Sequence, residues 1–312
     1  MKVGWIVTSE RTYGNSSRCI AFAVHDWLLK NNIESEIIFA HPGEGSAELP
    51  LSTELTTILQ ERYFTHVVFQ KVCLDHAAHY LRLAKHMGII TVYTIDDYLD
   101  PHDKDMVQEA DILIANAQFM QNFIHEKYHR EVFQIPAAYE VDKHFYKFDY
   151  HTDKFTVFWT GSLANAYQGA EFISMMKDFG YNYELIAPPS VATIPWRLDY
   201  YNDLIKADVA VFNCLRPMAI ETLAKGEGRP VQSMILGVPT IVSPFPSYAK
   251  LITNGVDGFV CYMNTPEEFH DYLEYLQDEK VRDRIGTAGR QRVINDYHID
   301  TVGKKWLEAL EQ

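Results

Sequence analysis

The feature that most constrains this chain is an alternation that occurs twice. Short apolar runs alternate with stretches of helical period, and each half opens with a strand running into a loop of small polar residues, TSERTYGNSS first and TGSLANAYQG second. Such alternation predicts parallel βαβ units, because parallel neighbours need a long crossover between them. The first half offers VGWIV, SEIIF, HVVF, IITVYT, ADILIA and VFQIP as strands, with helices expected over 16–30, 76–86 and 118–126. In the first of these helices Ile20, Val24, Trp27 and Leu28 form one apolar stripe, the pattern of a helix lying on a sheet.

The pattern breaks in a charged and aromatic stretch, YEVDKHFYKFDYHTDK, before a fresh strand FTVFW. Beyond it YELIA, ADVAVF, TIV and GFVCY read as strands between helices, and the last forty residues or so read as helices alone. A chain of 312 residues suits two cores of about 150 residues each. The expected division is a first domain over 1–148, a second over 149–298, and a terminal helix over 299–312 packing back toward the first. The fold class is therefore α/β, two doubly wound Rossmann-like domains that bind ligands at the carboxyl ends of their strands.

Charge narrows the partners. With 28 Lys and Arg against 42 Asp and Glu, the net charge of -14 repels phosphate backbones and disfavours nucleic acid. Cys19, Cys73, Cys214 and Cys261 are far apart, with no CxxC pair, and read as buried thiols of a reducing cytosol. No apolar stretch approaches about 18 residues, so neither a membrane span nor an export signal is expected. The location expected is cytoplasmic, with peripheral contact at the inner membrane face and homodimer formation left open.

The most informative segment is KGEGRPVQSMILGVPTIVSPFPSYAKLITNGVDGFV, from Lys225 to Val260. Pro230 has the place of a first helical residue, and Gly228 leaves the backbone before it open to close approach. Free amides at such a helix start bind anions, and Lys225 and Arg229 would add two cations there. Solvated surface charges beside an ordinary loop are the competing reading. Asp96, Asp97 and Asp100, which follow IITVYT, admit three readings: a metal-binding pair, a polar active-site edge, or turn and helix-cap aspartates before Pro101. His76 and His79 have a metal-compatible spacing but no third ligand, and they read as ordinary histidines. GxGxxG does not follow the first strand, which argues against a dinucleotide-binding oxidoreductase.

The segment as a whole resembles the donor-side half of the nucleotide-sugar glycosyltransferases of family 4. The resemblance lies in the Lys/Gly/Arg loop, the Met-Ile-Leu-Gly helix end, Val-Pro-Thr-Ile-Val-Ser and Asn-Gly-Val-Asp-Gly-Phe-Val, with ADVAV, Gly161-Ser162 and the C-terminal helices around them. It covers nearly all of residues 155–312 and is more diffuse in the first half. It implies a GT-B fold, two Rossmann-like domains facing a central cleft, and sugar transfer from a UDP- or GDP-linked donor with retention of configuration. No metal and no other cofactor is implied.

The donor contacts it implies are Gly161, Ser162, Gly228, Pro230, Val231, Gln232 and Ser233, with Gly14 and Asn15 leaning over the donor phosphates. Lys225 and Arg229 would stabilise the leaving diphosphate, and Asp96 would sit near the transferred sugar. The loop departs from the best-known branch, which carries two glutamates eight positions apart; Gln232, Ser233 and Glu227 are the candidates for the ribose partner here. The acceptor is not legible: a glycan, lipid-linked glycan, protein, small molecule or modified nucleic acid would each serve. A catalytically silent binding module and a sugar-nucleotide epimerase are the alternatives.

Overall fold

A computed structural model describes residues 1–12, 16–43, 45–74, 76–98, 100–214 and 219–312. The chain forms two units. The first comprises Met1–Glu140, Ala224–Gly226 and His298–Gln312, and the second Val141–Leu223 and Glu227–Tyr297.

In the first unit six strands run β1 (Lys2–Val7), β2 (Glu34–Ala40), β3 (His66–Gln70), β4 (Ile90–Ile95), β5 (Ile112–Ala115) and β6 (Phe133–Gln134). All pairs are parallel, in the order β2-β1-β3-β4-β5-β6. Both faces of a parallel sheet are covered by its crossover helices, which is why the strands read as unbroken apolar runs. Alternation along β3 shows this: Val67 and Phe69 belong to one core cluster and Val68 to the other. The first cluster packs under α2 (Thr53–Glu61), α3 (Ala77–His86), α4 (Lys104–Glu109) and α5 (Gln118–Tyr128). On the other face lies α1 (Ala23–Lys30), entered through a π-helical stretch, Ser17–Phe22.

The second unit repeats the plan with β7 (Thr156–Thr160), β8 (Asn182–Ala187), β9 (Ile194–Pro195), β10 (Val209–Phe212), β11 (Thr240–Val242) and β12 (Phe259–Val260). Their order is β12-β11-β10-β7-β8-β9, again parallel throughout. Its helices are α6 (Leu163–Met176), α7 (Tyr201–Leu204), α8 (Ile220–Leu223), α9 (Gly228–Ile235), α10 (Pro246–Leu251), α11 (Pro266–Tyr275) and α12 (Glu279–Val293). The last helix, α13 (Ile299–Leu310), belongs to the first unit. There the Trp306 ring lies 5.3 Å from that of Trp5, and Trp27 Nε1 donates to Asp300 at 3.0 Å. Gly303 allows the approach, since a Cβ on it would meet the Trp27 indole at 2.2 Å.

Two boundaries differ from the sequence expectation. The division falls at Glu140 rather than 148, because the charged and aromatic stretch is pinned to the second unit by partners distant in sequence. Lys147 N–H donates to Leu236 O at 2.7 Å, Tyr150 Oη to Gly237 O at 2.8 Å, and Arg282 to Tyr150 O at 2.6 Å. The tripeptide Ala224–Gly226 also lies in the first unit: Ala224 is in its core, and a Cβ on Gly226 would stand 2.9 Å from Asn116 Nδ2. Gly237 has a left-handed φ of 75° and closes the turn after α9, so it has the structural role of turn punctuation.

Candidate active site

Doubly wound sheets bind ligands beside the strand ends where the order reverses. In the second unit that point lies between β7 and β10, and Arg229 is found there. Its guanidinium lies 5.8 Å from the ring of Trp159 near the end of β7 and 5.5 Å from that of Phe212 at the end of β10. Cation–π contact with the two rings and a hydrogen bond with the Tyr248 phenol hold the guanidinium in place. Nη1 of Arg229 is buried and takes no partner among the described residues. A buried unpaired cationic N–H is costly, which marks this edge as a place for an acceptor oxygen.

Arg229 is the second residue of α9, not a loop residue before it. The helix starts at Gly228, so Pro230 is its third residue rather than its first. Proline is tolerated there for the same reason, because its missing N–H belongs to the first turn, where no intrahelical acceptor exists. Val231 makes the first i→i−4 bond, to Glu227 O at 3.0 Å. Val231 is fully buried. Ser233 spends its hydroxyl internally, 2.9 Å from Pro230 O and 2.8 Å from Thr240 Oγ1. Glu227 is buried and accepts from Tyr297 Oη at 2.9 Å; burial pushes its carboxyl pKa up. Gln232, the third candidate ribose partner, is also buried.

Gly161 and Ser162 follow β7 directly. A Cβ on Gly161 would stand 2.4 Å from the Trp159 ring, so the glycine is what lets this loop fold over the indole that carries Arg229. Ser162 caps α6, is exposed, and its Oγ accepts from Asn165 Nδ2 at 3.0 Å. Trp196 and Tyr200 lie with their rings 6.0 Å apart.

In the first unit the order reverses between β1 and β3, and polar groups gather at the strand ends on both sides. Gln70, the last residue of β3, is fully buried, and its Nε2 donates to Asp96 Oδ2 at 2.5 Å. Asp96, just past β4, is 5% exposed; burial pushes its pKa up to about 6, against Lys71 and the Gln70 amide. Asp97 carries an ion pair on each oxygen, Lys71 on Oδ2 and Lys225 on Oδ1 at 2.8 Å. Burial would raise its pKa, but the two ammonium groups outweigh that and hold it at about 2.

These contacts revise the aspartate and lysine expectations. Both oxygens of Asp97 already face cations, and Asp100 is engaged by Lys127, Tyr128 and Tyr98, so neither stands ready to pair with Asp96 around a metal. The residue at the N-cap of α4 is Asp103, not any of the three. Lys225 is paired with Asp97 within the first unit, and Arg229 lies against two aromatic rings within the second. Gly14 and Asn15 lie outside the described residues. The flanking arginines are both paired, Arg11 with Asp26 at 2.6 Å and Arg18 with Glu140 at 2.5 Å. Sequence reasoning passed over Gln70 and Lys71; the available signal was two polar residues directly after the apolar run VVF in HVVFQK.

Comparison with known proteins bears on this arrangement. Residues 199–292 match the family model of the glycosyl transferases group 1. A stretch of 130 residues is 28% identical to the UDP-Gal:alpha-D-GlcNAc-diphosphoundecaprenol alpha-1,3-galactosyltransferase of Escherichia coli, covering 40% of this chain and 31% of that protein. Among solved structures, Anabaena HepE in complex with UDP and glucose superposes with a TM-score of 0.70 at 14% identity, over all of both chains. A glycosyltransferase from Rickettsia africae gives 0.74 at 12% identity, over 99% of this chain and 98% of that one. The fold is that of the GT-B glycosyltransferases, with two parallel six-stranded sheets flanked by helices.

Proposed function

We propose, from a GT-B fold and a glycosyl transferases group 1 segment in its second unit, that the chain transfers a sugar from a nucleoside-diphosphate donor to a hydroxyl acceptor. The observation that carries the reading is Arg229, set against two aromatic rings at the switch point of the second sheet, with its buried Nη1 unpartnered among the described residues. Breaking the anomeric bond builds negative charge on the departing diphosphate. Arg229 and the free amides at the start of α9 would stabilise that charge electrostatically, which gives a route without a divalent ion. Lys225 is the second proposed cation, on the condition that it exchanges Asp97 for the diphosphate. Retention of configuration is the stereochemistry proposed with it, and Asp96 is proposed to face the sugar or the acceptor hydroxyl.

Uridine diphosphate sugars are the first donors to try, because the E. coli relative is named for UDP-Gal and HepE is described with UDP. That relative's named acceptor, a diphosphoundecaprenol saccharide, makes a lipid-linked glycan the first acceptor to try and peripheral attachment to the inner membrane face the matching location. No helix among the described residues is long and apolar enough to cross a membrane. The test is calorimetric titration with UDP and GDP, then turnover of the matching sugar donors by the parent and Arg229→Ala. Equal binding and equal donor breakdown by both would refute the reading.

A second reading, a silent binding module, is favoured by the internal use of Ser233 and Glu227, which thins the set of ribose partners. It predicts nucleotide binding with no turnover of any donor. An epimerase would interconvert two nucleotide sugars with no acceptor present.

A further inference from the structure

Asp96 has a buried neighbour whose orientation is fixed by chemistry that cannot be inverted. Gln70 Oε1 accepts from the Thr8 backbone N–H at 3.4 Å and lies 3.1 Å from both Thr8 Oγ1 and Ser17 Oγ. A backbone N–H only donates, so the amide oxygen must face Thr8. The NH2 group is thereby turned the other way, onto Asp96 Oδ2 at 2.5 Å and Ser16 Oγ at 3.4 Å. Three segments converge on this one amide: the end of β1, the start of the π-helical stretch, and the residues after β4. Asp96 Oδ1, by contrast, takes no hydrogen bond among the described residues.

We infer that Gln70 is a positioning residue: it ties down one oxygen of Asp96 and presents the other, Oδ1, as the hydrogen-bond acceptor for a ligand hydroxyl. The inference rests on the transferase reading for the identity of that hydroxyl, a sugar or acceptor alcohol. It rests on geometry alone for the effect of Gln70 on Asp96. A charged carboxylate gains more from an N–H donor than its protonated form does, so losing the amide must favour protonation. The ionisable groups around Asp96 are Lys71 after β3, Asp97 beside it and the Tyr93 phenol on β4, with Lys225 reaching the cluster through Asp97. The end of β1 and the π-helical stretch contribute hydroxyls, from Thr8, Ser16 and Ser17.

The experiment follows the Asp96 carboxyl directly by carbon-13 NMR titration of the full chain, assigned by its loss in Asp96→Asn, in the parent, Gln70→Met and Gln70→Glu. Removing one N–H donor in Gln70→Met should raise the Asp96 midpoint by about one pH unit. Gln70→Glu restores the bonds to Thr8 and Ser17 but places a second carboxyl against Asp96, so the pair should share a proton and titrate in two separated steps. An Asp96 midpoint unchanged in Gln70→Met would overturn the inference.

Donor breakdown adds a second readout. Its acid limb should shift upward with the NMR midpoint in Gln70→Met, while UDP affinity stays within about twofold of the parent. In an Asp96→Asn background the same change should add nothing further. An equal loss from Gln70→Met in both backgrounds, or wild-type turnover by Asp96→Asn, would also overturn it. UDP binding and the Arg229→Ala comparison would still decide the transferase reading on their own.

Discussion

Lys225 Nζ lies 2.8 Å from Oδ1 of Asp97, a contact that joins positions 128 apart in sequence, and Lys71 holds the other oxygen of the same carboxylate. One anion between two cations makes Asp97 the keystone of the cluster. Asp97→Asn should leave two ammonium groups facing each other at a cost of about 1–3 kcal/mol in urea unfolding. The pH dependence follows from the low folded pKa of about 2. Because the unfolded value is near 3.9, the stabilisation is complete above about pH 4 and is lost as pH falls toward 2. Melting temperatures measured from pH 2 to 6 should show a steeper acid decline in the parent than in Asp97→Asn.

Asp96 works in the opposite sense. Its folded pKa of about 6 exceeds the unfolded one, so the native state binds the extra proton and stability falls as pH rises from about 4 to 6. Asp96→Asn should therefore be more stable than the parent above pH 6, by about 1–3 kcal/mol, with the advantage gone below pH 4. The same variant should lose donor turnover. A gain in stability paired with a loss of activity is the signature of a strained functional carboxylate; parallel melting and turnover series would show whether it is there.

Arg229→Ala is expected to weaken nucleotide diphosphate binding by about 10–100-fold, the range for a charge-assisted hydrogen bond. Arg229→Lys should recover little of it, because an ammonium offers no fork of donors and makes a weaker contact with the Trp159 and Phe212 rings than a planar guanidinium. Calorimetry on both variants, with circular dichroism as the fold control, measures this.

At the other end of the chain, Gly303→Ala would drive a methyl into the Trp27 ring, where the added carbon would stand at 2.2 Å. Overpacking of this kind should cost about 1–3 kcal/mol and lower the melting temperature while leaving UDP affinity unchanged. Trp27→Phe in the same chain, which shortens the obstructing ring, should return part of the loss.

Local pattern made the parallel sheets legible because a strand such as β10 is buried on both faces and therefore reads as an unbroken apolar run. It failed where partners are far apart in sequence. Nothing near Lys147 or Tyr150 reveals that they bond to Leu236 and Gly237, so the sequence pattern puts the boundary at 148, within the charged stretch rather than before it. The two-residue edge strand β9 is too short to carry a period. In the site, Arg229 and Asp96 stood out by residue type and position. Gln70 did not, since an amide at a strand end acquires meaning only once β1 and β4 are laid beside it.

The pairing of Trp5 with Trp306 sets an order of assembly. The first unit contributes the strand, and its covering helix follows the second unit along the chain. Until that helix is made, the Trp5 indole and the cluster around it lack their α13 partners, so nascent chains should be most prone to aggregate, and most dependent on holdase chaperones, while the intervening unit is already folding on its own contacts.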